Sequence, residues 1–471
     1  MLRKKRHSKQ KIKTIFAGFF LLIFTVVILI GVSQLKIVRE FLGKALGVPA
    51  NLLVDTQGVI GSIPRPWRYL AQGGEDHDWR IEPISSQVKS LNPQYIRIDH
   101  IYDFYDIVKG SPGNLQFDFS KFNLILDDIL ATGAKPYIAL SYMPPAIASG
   151  DIVSKPVNWA DWQLTIQKTI EHVSGTKQID NVYYEVWNEP DLFGSWKYYG
   201  DKNYLDLYTY AVRGANNAQG VKPFKIGGPA ITALYKNWFD AMAKHAVKNN
   251  LRYDFFSWHR YSNDLDQYVK DMGNVKNWIL KYPKLEPSLE FHITEWGHNS
   301  EIDPGYDNNY AAAHTVAGLI VMLDSIQKAF VFEIQDGKGA EGQEYWGRWG
   351  MFTHRDFASK AKPRYQALKM LDRIADQRLQ ITGNGSWVKA LAAKDKNNNT
   401  QLVIANFDKK GQHAEFVPIT FYNINPGSYT LSIQMIGGVN NVQKLATSAA
   451  VLKTHVNMPA NSVGFLELHK D

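Results

Sequence analysis

Residues 181–191 read NVYYEVWNEPD. Val182 to Trp187 is a run of β-branched and aromatic residues, which predicts a strand. Asn188 and Glu189 follow where that strand should end. Pro190 has no N–H to donate to a ladder and helps stop it there. The stretch therefore holds a carboxylate at the C-terminal tip of a buried strand, beside an amide. Residues 289–296, LEFHITEW, repeat the arrangement. They predict another strand, with Glu295 at its end and a turn at Gly297.

Working outward, strand-like segments at 69–73, 95–101, 135–143, 225–228, 253–261 and 329–335 join these two. Helix-like patterns separate them, at 81–91, 120–131, 159–173, 204–218, 235–248, 267–281, 310–325 and 364–374. In 120–131, for example, Phe122, Ile125, Leu126 and Ile129 fall on one face. Eight strand–helix units between 63 and 377 predict an α/β fold, a (β/α)₈ TIM barrel rather than an open doubly wound sheet. No GxGxxG or GxxxxGK[ST] loop follows any of the strands, which argues against nucleotide and dinucleotide binding. After residue 377 short alternating strands take over, at 388–394, 401–406, 415–421, 429–436, 450–456 and 463–468. Polar or Gly-rich turns separate them, and 378–471 is predicted as a C-terminal β-sandwich accessory domain. Residues 34–62 read as a connector, with an edge strand around 51–59.

Apolar residues make up 45% and charged residues 21% of the 471. That ordinary balance supports a large core. The formal net charge is +8, and seven of the positive side chains lie in the first thirteen residues, a segment without acids. The basicity belongs to this tail (1–13), so it is poor evidence for nucleic-acid binding, and no nucleic-acid partner is expected. Residues 14–33 are almost wholly apolar, long enough to cross a bilayer of about 30 Å. They predict an N-terminal transmembrane helix. A signal peptide cleaved after Ser33 is the alternative, with a run longer than usual for that role. The positive-inside rule then places the N-terminus in the cytoplasm and the catalytic bulk outside the cell membrane. The chain has no cysteine, so it forms no disulfide.

A barrel places its chemistry at the C-terminal ends of its strands. Glu189 ends strand four and Glu295 ends strand seven, so the two face each other across the mouth. Two such carboxyls are the minimum equipment for glycoside hydrolysis, one as acid and the other as nucleophile or base. Either one alone would read as a cap or an ion-pair partner; the matched pair points to catalysis. His259 and Tyr261 share parity in SWHRY and face one side. For His259 two readings stand, a site residue and a satisfied core histidine. Arg97 and Asp99 share parity on strand two. Arg97 has two readings as well, a partner of the nucleophile and a structural partner of buried Glu185. Flat aromatic faces suit sugar rings, and Trp296, Trp346 and Trp349 are the expected site-lining ones. Histidines are scattered and no HxH or HExxH occurs, so neither metal nor cofactor is expected.

EVWNEPDLFGSW, KIGGPAIT, SWHRY and FHITEW, in this order and spacing, resemble the family 39 glycoside hydrolases, relatives of β-xylosidase and α-iduronidase in the large clan of retaining barrel glycosidases. The resemblance runs from about Trp67 through GRWGMF and KPRYQAL into the sandwich. It implies Glu189 as acid/base, Glu295 as nucleophile, and Asn188 as the residue holding the sugar 2-hydroxyl, with His259 and Tyr261 flanking the nucleophile. At the eighth strand the xylosidase-like members carry a Tyr-Trp-Thr-Phe type segment, whereas this chain has Phe332-Glu333-Ile334-Gln335. The first strand ends in Glu75-Asp76-His77-Asp78. Both departures fall where substrate would sit, and they unsettle xylosidase specificity rather than mechanism.

The expected function is therefore a retaining glycoside hydrolase. With a membrane anchor it would act on a cell-surface or exported polysaccharide, beside the synthesis or export machinery. Two alternatives stay open on sequence: a non-catalytic carbohydrate-binding subunit of an export complex, and a transglycosylase, which differs only in the acceptor.

Overall fold

Eight parallel strands close into a barrel in chain order: Tyr69–Gln72, Tyr95–Ile98, Lys135–Leu140, Val182–Val186, Phe224–Ile231, Phe255–Tyr261, Glu290–Gly297 and Lys328–Phe332. The eighth pairs back onto the first through Val331 and Leu70. The computed structural model describes residues 47–438 and 440–471. Within them all eight expected strand–helix units are present, and Glu189 and Glu295 follow strand four and end strand seven respectively.

Helices Trp159–Ile170, Tyr204–Asn217, Leu265–Ile279 and Asn309–Met322 each begin behind an Asn or Asp. These are Asn158, Asn203, Asp264 and Asn308, whose side chains accept from a backbone N–H of the first turn. Such a cap contributes about 1 kcal/mol and fixes where the helix starts. The lower barrel interior is an aromatic plug of Tyr137, Tyr183, Phe255 and Phe330. Tyr137 and Tyr183 stack with centroids 5.3 Å apart. The plug makes the barrel a packed core rather than a pore, so only the upper end of its interior is free for chemistry.

The second domain is a nine-stranded sheet that curls on itself. Its end strands Asn441–Thr447 and Val451–Met458 meet through Gln443, whose Nε2 donates to the His455 carbonyl at 3.3 Å and whose Oε1 accepts from Thr454 at 2.6 Å. Leu402, Ile404, Phe421, Leu431 and Leu466 fill the space enclosed.

Leu52–Ser62 corrects the reading of 34–62 as a connector. It is a strand of this second sheet, paired antiparallel with Gln377–Thr382 and parallel with Glu415–Tyr422. Nor does it lie at an edge. Leu52, Val54 and Thr56 are buried while Leu53 is exposed, so the alternation is there. Register shifts between Val54 and Gly61 break it in the second half. The accessory domain is thus built from both flanks of the barrel. Strand Gln377–Thr382 also joins the barrel's last helix directly to the sheet, and Leu391, Val403, Phe407 and Phe465 of the sheet share the barrel's own hydrophobic core.

The expected transmembrane segment, 14–33, lies outside the described residues, as does the basic tail. Among the described residues no helix is long and apolar enough to cross a membrane.

Candidate active site

Strand four ends in two left-handed residues, Trp187 with φ 75° and Glu189 with φ 45°. Such conformations are uncommon for residues with a Cβ, and they cluster at functional sites. Here they turn the chain out of the ladder at once. The Glu189 amide then donates to the Ala230 carbonyl at 2.9 Å, tying the turn to strand five.

Strand seven reaches the mouth differently. Its pairing with strand six slips between Ile293 and Glu295, so that Ile293 faces Trp258 and Glu295 faces His259. Such a bulge rotates the strand and re-aims the residue that follows it. It sends Glu295 into the mouth and Trp296 outward. Trp296 is fully buried, with Tyr268 and His314 against it, and it touches the Gly318 position on helix Asn309–Met322. The expectation that Trp296 lines the site is therefore corrected. Trp346 is half-buried and packs beside Arg348, off the cavity. Trp349 does line it.

Between the glutamates, one oxygen of Glu189, one of Glu295 and a ring nitrogen of His259 all lie within 4.8 Å of one another. His259 is fully buried, and its Nδ1 is 2.8 Å from Glu189 Oε1 and 3.4 Å from Glu295 Oε2. It bridges the two glutamates from beneath the cavity. Burial pulls the imidazole down, but the two carboxylates outweigh it and hold His259 above its ordinary range. Tyr261 donates its hydroxyl to Glu295 Oε2 at 3.0 Å.

Arg97 satisfies both of its expected readings at once. Its Nε donates to Glu185 Oε2 at 2.7 Å, its Nη1 to Glu295 Oε1 at 2.8 Å and its Nη2 to Asn188 Oδ1 at 2.7 Å. Asn188 passes the chain on, donating Nδ2 to the Tyr142 hydroxyl at 3.0 Å. That fixes which end of its amide faces which neighbour. Burial pushes the Glu295 carboxyl up to about 7, while His259 and Arg97 pull it down and Glu189 and Asp99 push it further up. The Arg97 guanidinium is held charged by Glu185 and Glu295 despite full burial.

Glu189, His259 and Glu295 are close enough for one divalent ion. The donor set argues otherwise. Both Glu295 oxygens already accept from protein donors, and a charged guanidinium at 2.8 Å repels a second cation.

The cavity above these groups measures about 630 Å³, and its walls come from the loops after most of the strands. Sequence reasoning missed several of its residues. Tyr142 carried no motif, and Leu192 and Phe193 lay in EVWNEPDLFGSW without being singled out. Asp99 and Glu75 were visible, as the parity partner of Arg97 and as part of the acidic run after strand one.

The model of the glycosyl hydrolases of family 39 matches residues 60–441. A β-xylosidase of Caldicellulosiruptor saccharolyticus is 27% identical over 333 residues, covering 64% of this chain and 66% of that protein. A β-xylosidase of Geobacillus stearothermophilus is 25% identical over 304 residues, covering 57% and 58%. The chain thus spans about two thirds or less of the length of the curated relatives it matches. Among solved structures, a monomeric β-xylosidase of Caulobacter crescentus superposes with a TM-score of 0.75 at 21% identity, over 89% of this chain and 99% of that one. That likeness is one of fold.

Proposed function

We propose, on the premise that this chain belongs to the glycosyl hydrolases of family 39, that it is a retaining glycosidase working by double displacement, with Glu295 as nucleophile and Glu189 as acid/base. The observation that carries the reading is the spacing at the mouth, where carboxylate oxygens of the two glutamates lie within 4.8 Å. Retaining enzymes hold their carboxyls about 5–5.5 Å apart, and inverting ones leave roughly 6.5–9.5 Å for a water between them.

The roles follow from the partners. Glu295 attacks the anomeric carbon as the bond to the leaving oxygen breaks. Arg97 and Tyr261, one on each carboxylate oxygen, keep it aligned, and the Arg97 charge favours its ionised form against burial. Glu189 gives its proton to the leaving oxygen in that step. It then takes a proton from the water that displaces Glu295 from the sugar. His259 occupies only Glu189 Oε1 and leaves Oε2 for this exchange. Asn188, held at both ends by Arg97 and Tyr142, is placed to bind the sugar 2-hydroxyl beside the nucleophile.

The substrate we propose is a cell-surface or exported polysaccharide, met by a catalytic domain outside the membrane and anchored through residues 14–33. The tail charge and the apolar run in the sequence support that placement. The relatives named as β-xylosidases support O-glycoside cleavage. The segments Glu75–Asp78 and Phe332–Gln335 leave the sugar open. Digestion of a glycan panel by the full-length protein, read by mass spectrometry, tests the reading: cleavage by the native protein and none by Glu295→Gln is expected. Equal cleavage by both would place the chemistry elsewhere.

A further inference from the structure

The arginines that line the cavity over the glutamates are already paired with carboxylates of the protein. Arg348 forms a two-point pair with Glu75, Nε to Oε2 at 2.8 Å, and lies 3.4 Å over the Trp349 ring. Arg260 donates Nε to Asp271 at 2.6 Å. His100 holds Asp103 at 2.7 Å through Nδ1. One carboxylate is in the opposite position. Asp99 lines the same cavity at 7% exposure, and no described residue donates to its buried Oδ1. Arg97, two residues back on the same strand, is used up on Glu185, Glu295 and Asn188. A buried carboxylate oxygen without a donor is costly, and native proteins rarely keep one unless a ligand completes it.

We propose that Asp99 is a specificity-determining residue that accepts a hydrogen bond from the sugar ring held against Glu295, so that the site takes sugars offering a hydroxyl or an amine there and rejects uronic acids. The inference rests on the reading of this cavity as the sugar site. A uronate would bring its charge against Asp99 and Glu75 and meet arginines already paired with protein carboxylates. A hydroxyl donates to the Asp99 carboxylate, and an ammonium donates and neutralises as well. The charged groups around Asp99 are Arg97, His100, Asp103 and His259. Burial lifts the Asp99 carboxyl above its ordinary range while His100 and Arg97 pull it down, and a bound donor favours its ionised form.

The test is calorimetric binding to the full-length protein of iminosugar pairs that differ only in a hydroxymethyl against a carboxylate on the ring, in gluco and galacto configurations. In at least one configuration the hydroxymethyl member should bind tenfold or more tightly than its partner. Asp99→Asn, which keeps the shape, should weaken that member tenfold or more and leave the carboxylate member unchanged or improved. Thermal melting of the variant checks that it is folded. Equal or tighter binding of the carboxylate members, unaltered affinity in Asp99→Asn, or no binding of any of the four by native protein would each overturn the inference. If it fails while Glu295→Gln still abolishes glycan cleavage, the mechanism stands and only the role of Asp99 falls.

Discussion

The guanidinium of Arg97 lies 2.8 Å from Glu295 Oε1, with both side chains buried. The same guanidinium neutralises Glu185 and orients Asn188, so one side chain organises three others. Removing one member of a buried, bonded ion pair leaves its partner uncompensated, at a cost of about 3–5 kcal/mol. Arg97→Met should therefore lower stability by that order in chemical denaturation and reduce kcat at least about 100-fold. Unchanged stability would mean that Glu185 and Glu295 find other partners.

The pH dependence follows from Glu295. Its folded carboxyl is held up to about 7, above the 4.5 of an unperturbed glutamate. Below the unfolded value the group is protonated in both states and indifferent to folding. As pH rises through 7 the unfolded chain loses its proton first, and stability falls. Glu295→Gln removes that loss, so its melting temperature relative to the native protein should be higher at pH 8 than at pH 5, on top of any pH-independent cost of losing the Arg97 pair. Each kcal/mol recovered is worth roughly 2–4 °C or less in a chain of this size. In kinetics, kcat/KM should rise with pH through about 7. Glu189→Gln, which removes a like charge, should shift that rise to lower pH on an activated substrate. A difference in melting temperature independent of pH would contradict this.

The accessory domain is expected to be inseparable from the barrel. Phe407 and Phe465 sit in the barrel's core, and Phe407 packs against His314 and Tyr310 of helix Asn309–Met322. Deleting 378–471 would expose that surface and strip Leu52–Ser62 of both neighbours. The truncated protein should be insoluble on fractionation. A soluble and fully active truncation would show the sheet to be an independent appendage.

The proposed topology has its own check. Alkaline phosphatase fused after Ile60 should be active in a bacterial host, because the basic tail stays inside. An inactive phosphatase with an active cytoplasmic reporter at the same point would reverse the orientation.

What the sequence disclosed is explained by range. Glu189 and Glu295 were legible because a strand, its terminal acid and its stop signal are local. Parity put His259 with Tyr261 on one side of strand six and Arg97 with Asp99 on one side of strand two, and left the role of His259 and Arg97 open. Parity also forbids adjacent Glu295 and Trp296 from sharing a face, and the bulge before Glu295 decides which one turns in. The strand around 51–59 was legible, but its place inside the second sheet was not, because its partners lie more than 300 residues away and its second half is irregular. Asp99 was visible as an acid sharing the face of Arg97, but that its Oδ1 lacks a donor is a property of the whole mouth.

The central claim is the division of labour between Glu189 and Glu295, and azide rescue tests it most directly. With an aryl glycoside of a sugar the native enzyme accepts, Glu189→Ala should still form the glycosyl-enzyme, and added azide should restore turnover to a glycosyl azide of retained configuration by NMR. Glu295→Ala should yield, at most, an azide of inverted configuration. A retained azide product from Glu295→Ala, with none from Glu189→Ala, would contradict the assignment.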